Sequence, residues 1–145
     1  MNSKGIERFV GFRFPDGKYT VDPELHEMYL KAVDAVPSPA GNAHPLFGFL
    51  AAHCGMGYTF PQFMELIEAP LDAGALFGQE DLQLHRPLRI GETVTVKASI
   101  VQARSTTGAQ TGRFDLVTCG IELTDDSGAI VCTSLETYVV PRAQQ

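Results

Sequence analysis

The sequence predicts an α+β domain in which apolar helices come first and a meander of long antiparallel strands follows and wraps one of them. Three observations carry this. Residues 60–68 read as a helix that is apolar almost all round, with Phe60, Phe63, Met64, Leu66 and Ile67, and such a helix needs cover. From Gln79 onward the period becomes two: Val94, Val96, Ala98 and Ile100 alternate with Thr93, Thr95, Lys97 and Ser99. Asp125-Asp126-Ser127-Gly128 reads as a hairpin turn between two such runs, 113–124 and 129–140.

The elements follow in order. Residues 10–18 read as an extended arm with a turn at Pro15-Asp16-Gly17, and 19–21 as a short extended lead-in. Asp22 is a natural N-cap, Pro23 fits the first helical position, and Glu24 suits the positive end of the helix dipole. Leu25, Met28, Tyr29, Ala32 and Val33 share one helical face, and His26 falls on the polar side, where solvent is expected. Val36-Pro37 stops this helix. Residues 45–53 read as a short apolar helix broken by Gly55-Met56-Gly57. Thr59 and Gln62 form a capping box for the helix of 60–68, which Pro70 ends. The polar stretch 105–112, with Gly108 and Gly112, reads as a loop.

Composition narrows the function. A chain of 145 residues suits one domain, 1–145. With 44% hydrophobic and 19% charged residues it is not a disordered chain. A net charge of -6 without a Lys/Arg cluster argues against a nucleic-acid partner. No apolar run approaches the ~20 residues of a membrane span. Residues 1–8 lack the apolar centre of a secretory leader, so a cytoplasmic protein is expected. Cys54, Cys119 and Cys132 lack paired ligand spacing; they are expected to be reduced, buried thiols rather than a zinc site.

Leu84-His85-Arg86-Pro87-Leu88-Arg89-Ile90-Gly91-Glu92-Thr93-Val94 resembles a characteristic stretch of MaoC-like hot-dog proteins. The opening Val10-Gly11-Phe12-Arg13-Phe14-Pro15, with Tyr19-Thr20-Val21-Asp22-Pro23-Glu24, is similar to the start of their N-terminal dehydratase-type domain. The end, from Cys132 to Arg142, also fits, so the resemblance covers nearly the whole chain. It implies the hot-dog fold, a long central α-helix wrapped by a curved antiparallel β-sheet. It implies a homodimer, or a heterodimer with another hot-dog protein, and acyl thioesters of coenzyme A or acyl-carrier protein as ligands. The implied reaction is reversible dehydration of a 3-hydroxyacyl thioester to the 2-enoyl form. No metal or cofactor is needed, and residues 108–112 are a loop rather than a phosphate-binding turn before a helix.

That reaction needs a base for the α-proton, an acid for the β-hydroxyl and donors for the carbonyl oxygen. In the family's catalytic members an Asp stands five residues before a His in a GDxNPxH pattern. Here His44 matches the His, Pro39 stands where the Asp belongs, Asp34 lies ten residues before His44, and Asn42 is offset by one. Either the loop returns Asp34 to His44, with Asn42 in support, or the dyad is absent. The glycine-flanked start of the 60–68 helix offers the Gly57 and Tyr58 amides as carbonyl donors. His85, on the polar face of a strand, is structural or lines the ligand. His53 beside Cys54 does not suggest a nucleophilic pair, because adjacent helical residues diverge.

Four readings stay open. The chain is a dehydratase or hydratase using His44. It is a non-catalytic partner in a heteromeric dehydratase, as the missing Asp favours. It is a thioesterase using Glu65, on the helix read as central. Or it is a binding module for a hydrophobic ligand.

Overall fold

The computed structural model describes residues 5–142. Residues 1–4, part of the stretch read as lacking a leader, lie outside the described residues. A 3-10 turn, Ile6–Phe9, leads through the arm to β1 (Gly17–Thr20) and α1 (Pro23–Ala32). Asp22 caps α1 as expected: its Oδ1 accepts from the N–H of Glu24 at 2.8 Å and of Leu25 at 3.4 Å. The helix stops at Ala32, ahead of Val36-Pro37, and Asp34 takes a left-handed conformation just beyond it (φ 55°).

α2 (Leu46–Cys54) and α3 (Phe60–Leu66) follow. The Thr59–Gln62 capping box forms in both directions, at 2.8 and 3.3 Å. The expected centre of the fold is corrected here. The helix that contacts all five strands is α2, not α3. At nine residues it is about 13 Å long. Its small residues explain the seat: Gly48, Ala51 and Ala52 are buried, and a Cβ on Gly48 would lie 2.9 Å from the Leu84 side chain. α3 buries Phe63 and Met64 but leaves Phe60 and Glu65 exposed. Glu65 is therefore not on the central helix, and the thioesterase argument loses its premise.

β2 (Leu76–Leu84), β3 (Thr93–Gly108), β4 (Gly112–Thr124) and β5 (Ile130–Pro141) complete one antiparallel sheet in the order β1-β3-β4-β5-β2. The stretch expected as a loop at 105–112 is mostly strand. Thr107 pairs with Arg113 and Gly108 with Gly112, leaving a three-residue connection. Polar side chains are compatible with strand there because Ser105 Oγ donates to Oδ1 of its cross-strand partner Asp115 at 2.5 Å and Thr107 is exposed. The 125–128 turn forms around Asp125, whose Oδ1 accepts from the N–H of Ser127 at 2.9 Å and of Ala129 at 3.1 Å. Gly128 supplies the left-handed residue that closes it (φ 83°).

The sheet's inner face packs Val94, Val96, Ala98 and Ile100 of β3 with Val117, Cys119, Ile121 and Leu123 of β4. β5 adds Cys132, Ser134, Glu136, Tyr138 and Val140, all buried. β1 and β2 are the two edges, and β2 exposes Leu76 and Phe77. No helix among the described residues is long and apolar enough to cross a membrane.

Cys119 and Cys132 are buried free thiols, with burial pushing their pKa up to about 12 and about 11. Cys54, the last residue of α2, is exposed, against expectation. Burial of its thiol group also raises its pKa. Native protein is expected to react slowly with a maleimide at one thiol, and with three only after unfolding. Three fast thiols in the native state would contradict this packing.

Candidate functional site at the two ends of the central helix

At the head of α2 the loop from α1 brings His26, Tyr29, Asn42 and His44 together. His26 is buried, which corrects the expectation that it is solvated. Its ring lies 5.0 Å from Phe47, and its Nε2 accepts the backbone N–H of His44 at 2.9 Å. That bond gives a physical reason for its burial on α1's inner side. Burial, then the neighbouring His44, lowers its pKa, so it is neutral at pH 7 with its proton on Nδ1.

His44 is half-buried, its ring edge-on to Tyr29 at 4.9 Å. Its Nδ1 accepts the Leu46 N–H at 3.1 Å, which satisfies a free amide at the helix start. Neutral His44 therefore carries its proton on Nε2 and presents a donor outward, not a lone pair. Asn42 forms a backbone bridge to Arg89, which ties this loop to the 84–94 segment. Asp34 is not brought here: it is exposed past the end of α1 and makes no hydrogen bond or ion pair to His44 among the described residues. Of the two alternatives the sequence leaves open here, the loop does not return Asp34 to His44, and no carboxylate–histidine dyad forms at this end among the described residues.

At the tail, tertiary structure assembles a cluster from residues far apart in sequence. His53 of α2 meets Glu136 and Tyr138 of β5. Its Nδ1 lies 3.2 Å from Glu136 Oε2, and the same oxygen accepts the Tyr138 hydroxyl at 2.8 Å. Glu136 is completely buried, and its Oε1 has no partner. Glu80 of β2 faces Glu136 across the strand pair, and its Oε1 accepts from Ser134 Oγ at 2.6 Å. Its Oε2 is also buried and unpartnered. Two carboxylates side by side are unfavourable unless each is held, and here each has its own hydroxyl.

Electrostatics follow from this packing. The Glu136 hydrogen bond holds the His53 pKa above its ordinary value, outweighing burial. Burial raises the Glu80 pKa against the Ser134 bond. Burial, then the Glu136 charge, keeps Tyr138 protonated as a donor. The His53 ring is stacked on Phe49 at 5.3 Å and met edge-on by Phe77 at 5.6 Å. Its side chain stays 36% exposed, so the ring is held yet reachable. The sequence did contain one signal. Period two places Glu136 on the same face as Ser134 and Tyr138, where a lone carboxylate between buried neighbours asks for a partner.

Gly57 and Tyr58 follow this end of α2. The Tyr58 ring packs on Phe14 at 5.3 Å and Phe12 at 5.9 Å, and Gly57 lies against the Pro15 carbonyl. Their N–H groups donate to no acceptor among the described residues. His85 is exposed just past β2, its N–H bonded to the Val131 carbonyl at 2.9 Å. No group of three or more His, Cys, Asp or Glu side chains among the described residues is arranged to hold a metal ion.

Residues 8–134 match a family profile described as "FAS1-like, dehydratase domain region". Among solved structures the fold is similar to the truncated HadBC (3R-hydroxyacyl-ACP dehydratase) complex from Mycobacterium tuberculosis. That match has TM-score 0.68 and 17% identity and covers 90% of this chain and 96% of that one. It is similar to the ChsH1-ChsH2 complex of the same organism, with TM-score 0.71, 14% identity, and coverage of 97% and 89%. A MaoC-like dehydratase gives TM-score 0.72 and 22% identity over 96% of this chain and 44% of that one. No curated protein sequence matches. At these identities the structural likenesses establish the hot-dog fold.

Proposed function

Because the chain belongs to the FAS1-like dehydratase-region family of MaoC-like hot-dog proteins, we propose that it interconverts 3-hydroxyacyl and 2-enoyl thioesters carried by coenzyme A or acyl-carrier protein. The observation that carries this reading is the family match, which spans residues 8–134 and so includes both ends of α2. His44 takes part as a donor. With Nδ1 tied to Leu46, its Nε2–H bonds an oxygen of the bound thioester, and Asn42 steadies the loop through Arg89. The unengaged amides of Gly57 and Tyr58 are further donors for a thioester carbonyl. His85, exposed beyond β2, is assigned the outer part of the ligand.

The test follows the loss of enoyl absorbance when the protein meets crotonyl-CoA, with free thiol measured alongside. Absorbance loss without thiol release is expected. Thiol release would overturn the reading in favour of hydrolysis. His44→Gln is expected to raise KM about tenfold with little change in kcat, as for the loss of one hydrogen bond of about 1.4 kcal/mol to the ligand. Loss of all turnover in that variant would make His44 the proton carrier instead.

A second reading rests on the absence, among the described residues, of a carboxylate bonded to His44. In it, this chain is the half of a two-chain dehydratase that lacks the dyad and shapes the acyl site. The exposed Leu76 and Phe77 of the edge strand β2 favour a partner of either kind. Co-purification with a second hot-dog protein supports this reading, and an active homodimer removes it.

A further inference from the structure

Two histidines mark α2, and their hydrogen bonds give them opposite chemistry. His44 accepts through Nδ1, so its outward atom is a donor. His53 donates through Nδ1 to a completely buried carboxylate, so its Nε2 carries the free lone pair. A base whose far nitrogen is fixed by a buried carboxylate is held in one tautomer and orientation, an arrangement that suits general-base catalysis. We propose that His53, oriented by Glu136, is the general base of this protein and takes the α-proton of an acyl thioester bound at the tail of α2.

The surroundings fit that task. Glu136 is fixed by Tyr138, whose hydroxyl donates to the same oxygen, so the carboxylate cannot swing away. Phe49 and Phe77 hold the imidazole plane and offer apolar contact to an acyl chain. The ring stays reachable from outside. His44 lies nine residues earlier, about 13 Å along the helix axis. The two histidines therefore meet different parts of one ligand, His53 at the α-carbon and His44 at an oxygen further along.

The step balances on one residue. Nε2 takes the proton from C2, and the C2–H electron pair becomes the C2=C3 double bond. The C3–O bond breaks, and the leaving hydroxyl takes the proton back from the imidazolium and departs as water. His53 returns to its neutral state. Glu136 touches no substrate atom and is a positioning residue.

The proposal deepens the dehydratase reading and rests on it. The groups facing His53 are Glu136 and Tyr138 from β5 and Glu80 from β2, with Cys54 beside it on α2. The two carboxylates favour the imidazolium, and the Glu136 bond is the larger influence. A base works when neutral, so kcat/KM is expected to rise with pH through a midpoint above the ordinary histidine value of about 6.5.

The experiment uses the protein as purified from its source cell, with any second chain that accompanies it, on 3-hydroxybutyryl-CoA and crotonyl-CoA. His53→Gln is expected to lower kcat by about 100- to 10,000-fold while the fold, followed by circular dichroism, is kept. Glu136→Gln is expected to lose less and to move the acidic limb of the pH profile to lower pH, a readout that a purely structural role would not shift. Inactive wild-type protein would overturn the dehydratase reading and this proposal with it. Active wild-type protein with an equally active His53→Gln variant and an unchanged pH profile would overturn this proposal alone. If Glu136→Gln does not fold, Tyr138→Phe takes its place: with one donor to Glu136 removed, the carboxylate holds the imidazolium more strongly, and the same limb is expected to move by a smaller amount to higher pH.

Discussion

Gly57→Ala is expected to lower the unfolding free energy by at least about 3 kcal/mol, the upper part of the range for overpacking. A Cβ built on Gly57 would collide with the Pro15 carbonyl oxygen, and its next neighbour is the Pro15 carbonyl carbon. Both atoms are backbone, so no rotamer change relieves the clash. The arm around Phe12, Phe14 and Pro15 must then lift from the α2–α3 corner, and it takes with it the edge contacts of Phe14 to Tyr58 and Phe63. Gly17 repeats the arrangement from the other side: a Cβ there would collide with the Gly55 carbonyl oxygen. Gly41 is the control. Its φ of 74° is strained for alanine, but nothing lies within 4 Å of the added atom. Gly41→Ala should therefore cost only about 1–2 kcal/mol. Urea unfolding of the two variants checks the difference. Gly57→Ala with wild-type stability would show that the arm does not pack as described, and would return Gly57 to a purely ligand-facing role.

This glycine also shows what a sequence does and does not display. Signals confined to a few adjacent residues were legible: the Asp22 cap, the Thr59–Gln62 box and the Asp125 turn all form as their spacing implies. So were the inward faces of the strands, because burial repeats every second residue. Choosing the central helix was harder. Hydrophobic bulk does not separate the two helices: α2 carries Leu46, Phe47, Phe49 and Leu50, and α3 carries Phe60, Phe63, Met64 and Leu66. The wrapped helix is the one small enough to approach a concave sheet, and Gly48, Ala51 and Ala52 carry no strong hydropathy signal. The candidate site was least legible, because its bonds join distant parts of the chain. Glu136 lies 83 residues from His53, and the His44 amide lies 18 from His26. A histidine that is polar by helical spacing becomes a buried acceptor only once another loop folds over it.

Phe47→Ala is expected to be the second severe variant, costing about 3–5 kcal/mol as a large-to-small core substitution. Against a total stability of about 5–15 kcal/mol for a domain of this kind, that leaves little margin. Phe47 is fully buried on α2 and touches the rings of His26 at 5.0 Å and Tyr29 at 5.9 Å. Its loss does more than empty a volume. His26 owes its position to that ring on one side and to the His44 amide on the other. With the ring gone, water reaches His26, which then protonates more easily, and a protonated Nε2 can no longer accept from His44. The head of α2 should therefore loosen below pH 6.5 in the variant before the rest of the sheet unfolds. Hydrogen exchange resolved by residue tests this: amides at 43–47 should lose protection first on acidification, while those of β3 and β4 keep theirs. Uniform loss of protection across the sheet would mean that Phe47 supports the core as a whole and that the His26–His44 contact has no separate stability of its own. The tail offers the complementary case. The raised His53 pKa reflects an imidazolium–carboxylate pair, whose contribution is fully present below the unfolded histidine value and is lost as pH rises through the folded one. The two ends of one short helix are thus stabilised in opposite pH directions, the head by a neutral histidine and the tail by a charged one.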